Sequence, residues 1–514
     1  MQQSCRRFLR NASVMVASAV LMRTVGITFN AMVSARVGTE GMGLYTLVMS
    51  VYNFSVTLAT SGVHLAVTRT VSEHLAKGDQ KGAQASLFHA LLYAFCFGTL
   101  TTVILLGLAR PLGIFLLRDA RTIPSLRMLG VSMLPLSLST VMNGYFIARK
   151  KAVKNAVVQV FEQAVRMGAI TLFLWVAFSR DLTYVTGALV LGGVVAEILS
   201  FLLLGIEFLW DKRKIKGGYR KKIDIWQAKQ ICGIALPVAF SAYIRSGLLT
   251  LEHALIPLSI QKSGKSKAQA LSDYGLLQGM ALPIVLYPTA ILYAVSGLLI
   301  PEFAERKARG QEHEIGILGQ KTLYYAAAFS CGAMAQLVTF SRELGLLFYH
   351  SYEVGGYVFG LALILPLMFL DHVTDCMLKG VGEQLWTMWV NIGDAICSIF
   401  LVILLLPKMG VGGYVLVIML AEGINFAFSF GRLLKKTTVR PSLFLVCLLP
   451  LSSAYLAKCL TCHLLPMDST SAQGGWTVLR MLFCGAMYVF LYMTGKWVYD
   501  ERKKRLKALP STLR

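Results

Sequence analysis

The sequence predicts an all-α polytopic membrane protein with about fourteen transmembrane helices. Three observations lead to this fold class. Apolar stretches follow one another almost from end to end of the 514 residues, short charged loops separate them, and 56% of the residues are hydrophobic whereas 15% are charged. A helix of about 20 apolar residues crosses the ~30 Å hydrocarbon core of a bilayer with all its backbone groups paired internally. Little of the chain is left for a soluble domain.

The apolar stretches give the expected helices in chain order. They lie at residues 12–35, 42–68, 86–108, 125–148, 155–178, 185–209, 231–256, 276–300, 322–340, 357–378, 385–406, 411–431, 443–465 and 476–497. Only the segment from Val37 to Gly41 separates the first two. If these two formed one span, the number of spans would be odd and the C-terminus would change sides. No cleavable signal is expected, because the first apolar stretch has the full length of a span.

The formal net charge of +24 is distributed unevenly over the loops. Lys and Arg concentrate in alternate loops, which by the positive-inside rule predicts that both termini are cytoplasmic. The basic segments on that side are residues 6–10, 77–81, 149–154, 212–222, 306–309, 432–440 and 502–507. We expect them to contact anionic lipid headgroups. Nucleic-acid binding is not expected, because no basic segment has a fold of its own to present it.

The 10 cysteines are scattered through the spans as small apolar side chains, so no disulfide framework is predicted. Cys459, Cys462 and His463 match the spacing of haem c attachment at the end of the thirteenth span. No soluble domain is available to enclose a haem, and such matches arise by chance in a helix that contains cysteines. We therefore expect no cofactor and no bound metal, apart from Na⁺ or H⁺ as a coupling ion.

An internal repeat with an offset of about 220 to 235 residues is predicted, as in many transporters. The corresponding positions are Arg23 and Arg245, Tyr45 and Tyr274, Glu73 and Glu305, Glu162 and Asp394, and Ala196-Glu197 and Ala421-Glu422. Odd spans correspond to odd spans, so both copies are expected to share one orientation. The repeat predicts an N-terminal lobe (1–210), a cytoplasmic linker (211–229), a C-terminal lobe (230–435) and two additional helices with a basic tail (436–514). Two such lobes suit a transporter that works by alternating access.

Several segments carry a family resemblance. Those of the first half are Arg23 to Gly26, Gly38 to Tyr45, Gly62, Ser72-Glu73 and Lys77 to Asp79. Those of the second half are Ala235 to Pro237, Glu252, Pro257, Tyr274-Gly275, Gly279 to Ala281, Pro283, Pro288, Pro301, Leu365-Pro366, Val373-Thr374, Lys379-Gly380 and Gly382. Together, over about residues 8 to 440, they resemble the stage V sporulation protein B family of oligosaccharide flippases, part of the multidrug/oligosaccharidyl-lipid/polysaccharide exporter superfamily. The resemblance implies fourteen helices, a cationic central cavity and movement of a lipid-linked sugar.

Buried arginines are the candidate substrate-binding residues. Arg23 and Arg245 begin the two predicted lobes and are expected to bind a diphosphate in the cavity. The alternative is that each neutralises a buried carboxylate. Arg166 has Glu162 one helical turn before it, so it either forms an i, i+4 ion pair or faces the cavity. Asn30 stands where related flippases carry a second arginine, so one cavity charge is missing and the cargo is expected to differ from lipid II in charge or size.

Acidic residues in the spans are the candidates for ion coupling or gating. Asp371, His372 and Asp375 place two carboxylates and an imidazole on one predicted helix, where the family tends to have neutral amides and hydroxyls. They either bind Na⁺ or a proton or are solvated near a water-filled cavity. The other candidates for ion coupling or gating are Glu197, Glu422, Glu162 and Asp394. Glu197 and Glu422 suit either packing between lobes or contact with cargo.

The eighth span contains a predicted hinge formed by Gly275, Gly279, Pro283 and Pro288, because prolines remove helix hydrogen bonds. The alternative for the glycines is close helix packing. Within the linker, Gly217-Gly218 is the expected flexible point.

The leading functional hypothesis is a flippase for an undecaprenyl-linked oligosaccharide or peptidoglycan precursor in a bacterial plasma membrane. The alternative is an ion-coupled multidrug exporter of the sister branch. An enzyme is not expected, because the loops are too short to close over a sugar nucleotide. The expected partners are membrane lipids, the lipid-linked sugar and enzymes of cell-envelope synthesis, with the protein working as a monomer.

Overall fold

The computed structural model describes residues 2–149, 151–177, 181–213, 225–465 and 474–508, and all regular structure among them is helical. The helices of the first half are α1 (Gln2–Thr60), α2 (Val63–Ala76), α3 (Gln80–Pro111), α4 (Ile123–Ala148), α5 (Ala152–Ala177), α6 (Leu182–Arg213), α7 (Ile225–Gln261) and α8 (Lys267–Tyr274). Those of the second half are α9 (Leu282–Val285), α10 (Thr289–Ala308), α11 (Glu312–Thr339), α12 (Ser341–Tyr349), α13 (Tyr352–Ala362), α14 (Leu365–Gly380), α15 (Gln384–Met409), α16 (Val411–Lys436), α17 (Leu449–Leu464) and α18 (Gly474–Ala508). The predicted all-α fold class is confirmed. The linker glycines Gly217 and Gly218 lie outside the described residues.

Within these ranges, ten helices are long and apolar enough to cross a membrane, and twelve if each of two bent pairs crosses once. The bent pairs are α11 with α12, at 70°, and α13 with α14, at 47°. One of the ten is the 57-residue stretch Val20–Ala76, which at about 85 Å is long enough to cross a ~30 Å core twice. The described residues of all fourteen predicted segments fall mainly on helical structure, and the number of spans stays a prediction.

Two glycines break this long stretch: Gly38 lies between the first two predicted segments, and Gly62 lies within the second. Gly38 interrupts α1 with φ 74° and ψ 176°, a conformation that residues with a Cβ rarely adopt. Gly62 separates α1 from α2 with φ 77°, and a Cβ at this position would lie 2.2 Å from the carbonyl oxygen of Ala235. Both breaks therefore depend on the absence of a side chain.

The chain forms two compact units. We call Arg36–Gly275 the 36–275 unit, and Met1–Ala35 with Leu276–Arg514 the terminal unit. These divisions differ from the predicted lobe boundaries near residues 210 and 230. The reason is that the first part of α1 hydrogen-bonds to the segment after Gly275, whereas α7 packs against α2 and α3. The predicted lobes and linker stay a prediction.

The 36–275 unit is built on packing of α3, α4 and α6, with α5 against α6. Its core contains the fully buried side chains of Val67, Ala90 and Phe146. Small residues let the helices approach closely, as is usual between helices in membranes. At Gly98, for example, a Cβ would lie 2.9 Å from the Cβ of Ser137.

The terminal unit is built on α10, α11, α14 and α16, around Phe303, Leu323 and Met377. The last two helices, α17 and α18, pack against each other and against α11. Polar contacts fix α18 in place: Tyr488 donates to the carbonyl of Ala328 at 2.6 Å, and Arg480 pairs with Glu343.

Candidate functional site

Arg23 lies half-buried on α1 in the terminal unit. Its Nη2 donates to the carbonyl of Leu286 at 3.4 Å, while its Nε is buried without a hydrogen-bond partner among the described residues. The next residue, Thr24, hydrogen-bonds to the hydroxyl of Tyr287 at 3.0 Å. None of the ion pairs in the described part of the chain includes Arg23. The guanidinium is therefore held by a backbone carbonyl and keeps its positive charge available.

Asn30 does not leave its amide free for a ligand. Its Nδ2 donates to the carbonyl of Gly279 at 3.0 Å. In an α-helix this carbonyl would accept from residue 283, but Pro283 has no N–H. The amide therefore satisfies a backbone acceptor that the proline leaves open. This contact favours a structural role for Asn30.

The predicted hinge is a broken helix in the structure. Gly275–Ala281 is π-helical, α9 is only four residues long, and a turn that ends at Pro288 precedes α10. Gly275 is also a close-packing position, since a Cβ there would lie 2.1 Å from the carbonyl oxygen of Thr39. The geometry thus supports a break in the helix as well as close packing at a glycine. Bending at this break stays a prediction.

Arg245 lies on α7 in the 36–275 unit, with an exposed side chain. The ion pairs and hydrogen bonds found in the described ranges do not include it. Like Arg23, it is a charged residue within a predicted span that carries no neutralising carboxylate there. Such residues in membrane proteins face a water-filled cavity or a polar ligand.

Arg166 behaves differently, because it is neutralised. Its Nη2 lies 2.5 Å from Glu162 Oε1, and Ser200 donates to the other carboxylate oxygen at 3.2 Å. On α6, Glu197 is 6% exposed and accepts a hydrogen bond from Tyr52. We call these five residues the arginine cluster. The i, i+4 ion pair is present, which favours structural neutralisation over direct binding of cargo.

The carboxylates of Asp371 and Asp375 lie on α14 in the terminal unit and are 8% and 5% exposed. Asp375 accepts from Asn391 at 2.9 Å and from Ser429 at 3.1 Å, and Asp371 accepts from Asn425 at 3.2 Å. We call these five residues the acid cluster. The second oxygen of Asp371 is buried and has no hydrogen-bond partner among the described residues. The cluster thus holds two nearby acids with amide and hydroxyl oxygens around them.

The surroundings of the acid cluster add further negative charge. Asp375, Glu422 and Asp394 all lie near enough to Asp371 to repel its charge. The basic group near the cluster is Lys379, whose Nζ is 3.7 Å from Asp375 and whose side chain is 40% exposed. No guanidinium among the described residues pairs with Asp371 or Asp375. Glu422 and Asp394 thus join the predicted ion-coupling residues in one neighbourhood.

His372 faces away from the acid cluster. Its Nε2 lies 3.0 Å from the hydroxyl of Ser296 on α10, and its ring makes a T-shaped contact with Tyr293, with ring centroids 4.6 Å apart. The sequence places His372 beside Asp371, but adjacent residues on a helix point in directions about 100° apart. The structure therefore brings the two aspartates together and leaves the histidine with α10.

Sequence reasoning missed Tyr293, Asn391, Asn425 and Ser429. A signal was present for two of them: Asn425 and Ser429 are four residues apart in an apolar helix and so lie on one face of α16. No group of three or more His, Cys, Asp or Glu in the described ranges could hold a metal ion. Oxygen atoms of carboxylates, amides and hydroxyls are nevertheless the ligands that hard cations prefer.

Ion pairs outside the spans join loops within each unit. In the 36–275 unit, Arg121 bridges Asp119 and Glu40, at 2.8 Å each, and Lys267 approaches Asp119. Burial would raise the pKa of Asp119, but hydrogen bonds from Arg121 outweigh it and hold that pKa below its usual range. These contacts connect the loop before α4 with the Gly38 kink and with α8.

The terminal unit has a comparable contact after α14. Arg432 donates two hydrogen bonds to Glu383, at 2.7 Å and 3.0 Å, and Lys436 lies 3.2 Å away. The hydrogen bond from Arg432 is the main reason that the pKa of Glu383 lies below its usual value, and Lys436 adds to it. The contact fixes the end of α16 to the start of α15.

Residues 8–307 match the family described as polysaccharide biosynthesis protein. The chain belongs to this family. The chain is similar to stage V sporulation protein B of Bacillus subtilis (strain 168). The two are 22% identical over 416 residues, which cover 80% of each chain. Sporulation protein YkvU of the same organism is 22% identical over 372 residues, 71% of this chain and 80% of that protein. The family resemblance predicted from the sequence is confirmed.

Two solved structures share the fold of this family member. The lipid II flippase MurJ in an inward closed conformation has a TM-score of 0.72 at 12% identity, covering 95% of this chain and 99% of that one. An inward-facing multidrug resistance MATE family transporter of the MOP superfamily has a TM-score of 0.67 at 14% identity, with coverages of 82% and 98%. The chain is therefore a multi-pass membrane protein with the fold of that superfamily.

Proposed function

We propose that this protein is a flippase that moves an undecaprenyl-linked oligosaccharide or peptidoglycan precursor across the plasma membrane by alternating access. The observation that carries the proposal is the un-neutralised guanidinium of Arg23, held by the Leu286 carbonyl inside a predicted span. Membership of the polysaccharide biosynthesis family supports the same cargo class. In this proposal both termini are cytoplasmic, the protein works as a monomer, and enzymes of envelope synthesis supply the cargo.

The chemistry of the cargo explains why free arginines suit this role. A lipid-linked sugar has a diphosphate that is costly to remove from water and a hydrocarbon tail that can remain in the bilayer. Arginine presents a planar fork of donors that fits phosphate oxygens through two hydrogen bonds. Arg23 and Arg245 would replace part of the water around the diphosphate, whereas Arg166 is already neutralised by Glu162.

The acid cluster supplies a candidate for ion coupling. We propose that Asp371 and Asp375 take up Na⁺ or H⁺, because two buried carboxylates repel each other until a cation or proton reduces their charge. Asn425 and Ser429 contribute oxygen atoms, and the unpaired oxygen of Asp371 is available for either ion. Glu422, Asp394 and Glu197 are assigned to gating or to the electrostatics of these clusters.

The flipping assay that tests the proposal uses purified protein in liposomes and a fluorescent undecaprenyl-diphosphate-linked disaccharide. We expect wild-type protein to flip it and both Arg23→Ala and Arg245→Ala to slow flipping about 10- to 100-fold, the loss expected for one or two charge-assisted hydrogen bonds. Arg69→Ala is the matched control, because Arg69 forms an exposed pair with Glu73. Wild-type protein that does not flip this lipid would contradict the proposal.

The second candidate function is an ion-coupled exporter of organic cations. The acid cluster favours it, since two aspartates share one partly exposed lysine, and the remaining negative charge attracts organic cations as well as coupling ions. Efflux of an organic cation that is lost in Asp371→Asn, together with absent lipid flipping, would establish this function instead.

A further inference from the structure

Tyr293 is an exposed aromatic residue in the eighth predicted span, residues 276–300. It lies on α10, and 58% of its surface is exposed. The first charged residue after it on α10 is Glu302, nine positions later, or about 14 Å along the helix axis. That is about half of the ~30 Å hydrocarbon core. Tyr293 therefore lies too deep to be one of the tyrosines that anchor helices at the headgroup level.

The surroundings of Tyr293 indicate contact with something polar. Its hydroxyl has no hydrogen-bond partner within the part of the chain that the structure describes. A hydroxyl turned into hydrocarbon without a partner costs several kcal/mol, so an exposed phenol at this depth faces water or a polar ligand. The same reasoning applies to Arg23 in the same unit.

Arg23 and Tyr293 are connected through the start of α10. Arg23 Nη2 and Thr289 Oγ1 share the Leu286 carbonyl as acceptor, at 3.4 Å and 2.5 Å. Tyr293 follows Thr289 by four residues, so it lies on the same helix face, about 6 Å further along. The two side chains are near enough to interact electrostatically. The un-neutralised guanidinium and the exposed ring thus lie in one neighbourhood.

His372 holds the tyrosine ring at a fixed angle. The two rings are 87° apart, with centroids at 4.6 Å, and His372 is itself fixed by Ser296 at 3.0 Å. A T-shaped contact of this kind is favoured between aromatic rings and leaves at least one face of Tyr293 open. An open aromatic face carries partial negative charge, whereas the C–H groups on one face of a pyranose carry partial positive charge.

We propose that Tyr293 stacks on the sugar ring next to the diphosphate of the lipid-linked cargo, while Arg23 holds the diphosphate and His372 orients the tyrosine ring. This inference rests on the proposed flippase function and adds a sugar subsite to it. Arg23 recognises the anion that all such lipids share, and Tyr293 distinguishes lipids that carry a sugar from those that do not. His372 acts as a positioning residue, since it touches Tyr293 and not the sugar.

The test compares the Kd of two lipids in nanodiscs containing the full-length protein: undecaprenyl diphosphate, and the same lipid with a disaccharide. We expect Tyr293→Leu to weaken binding of the sugar-linked lipid about tenfold, the loss of one stacked aromatic contact. Binding of undecaprenyl diphosphate should stay unchanged. Tyr293→Phe keeps the ring and should bind both lipids within about twofold of wild type, whereas Arg23→Ala should weaken binding of both.

The controls separate this inference from the proposed function. Tyr455→Leu replaces a tyrosine that is 69% exposed on α17 and should leave both Kd values unchanged. Tyr293→Leu with wild-type affinity for the sugar-linked lipid, or with equal losses for both lipids, would overturn the sugar subsite and leave the flippase proposal in place. Wild-type protein that binds neither lipid would overturn both. If Tyr293→Leu does not fold, Tyr293→Ala and His372→Ala provide the same comparison, with the smaller loss expected for His372→Ala.

Discussion

The helix pairs α5–α6 and α15–α16 correspond in the predicted repeat, yet the buried carboxylates near them have different partners. On α5, Arg166 neutralises Glu162 at 2.5 Å, and Tyr52 of α1 donates to Glu197 on α6. Beside α15–α16, the acids of α14 receive amide and hydroxyl hydrogen bonds but no guanidinium from the described residues. In the first cluster, Arg166 offsets the charge of Glu162, and Glu197 is the second carboxylate. In the second cluster, the partly exposed Lys379 pairs with Asp375, while Asp371 lies near further carboxylates, so this cluster keeps more negative charge and an affinity for cations or protons.

The largest effect expected from this comparison is on stability. Arg166→Met should lower the free energy of unfolding by about 2–3 kcal/mol, because it leaves the Glu162 carboxylate partly buried and unpaired. The double variant Glu162→Gln/Arg166→Met should recover most of that loss. Thermal unfolding in detergent measures both. Equal destabilisation by the single and double variants would mean that the unpaired Glu162 carboxylate is not the cause of the loss.

The next largest effect concerns coupling. Asp375→Asn should abolish the dependence of transport on pH or Na⁺ and slow transport about tenfold, since one of two repelling carboxylates is gone. Its hydrogen bond from Ser429 can be kept by the amide oxygen, so the protein should remain folded. Flux in liposomes at several pH values and Na⁺ concentrations measures the dependence. An unchanged dependence would rule out the acid cluster as the coupling site.

A smaller effect is expected at the broken helix. Asn30→Leu should cost about 1 kcal/mol of stability, because the carbonyl of Gly279 would lose the donor that replaces the missing N–H of Pro283. Thr28→Val is the control, since Thr28 donates only to the carbonyl of Thr24 in its own helix. Thermal unfolding of the two variants gives the difference. If both variants were equally stable, the hydrogen bond from Asn30 to the Gly279 carbonyl would not contribute to stability.

The smallest effect is expected at Glu383. The folded-state pKa of Glu383 is lowered from 4.5, so its contribution is complete above about pH 5 and is lost as the pH falls through the lower, folded-state pKa. Glu383→Gln should therefore reduce stability by about 0.5 kcal/mol at pH 7, a small loss because the pair is partly exposed to solvent, and by less at pH 3. Unfolding at both pH values checks the sign. A loss that is the same at pH 3 and pH 7 would exclude the charge as its cause.

The sequence predicts the helices well because each span must pair its own backbone in lipid. It also predicts the ion pair of Arg166 with Glu162, since four-residue spacing on one helix fixes their distance. Long-range partners were not predictable. The role of Asn30 depends on Gly279, which is 249 residues later in the chain, and local spacing contains no information about that contact.

The same limit explains the outcome at α14. Spacing places Asp371 and Asp375 on one face of the helix, and the structure agrees. Spacing could not show that His372 would contact Tyr293 on α10 while Asn391 and Asn425 would complete the acid cluster. Packing between helices decides these contacts. The division into compact units also depends on such packing, because α1 joins residues that follow 275.

The central claim is that un-neutralised charge in the spans serves transport, whereas neutralised charge serves structure. The most direct test measures lipid flipping by Arg23→Gln and by the double variant Glu162→Gln/Arg166→Gln, each compared with wild type at equal amounts of folded protein. We predict that Arg23→Gln slows flipping at least about tenfold, and that the double variant flips at nearly the wild-type rate. A double variant that loses as much activity as Arg23→Gln would contradict the claim.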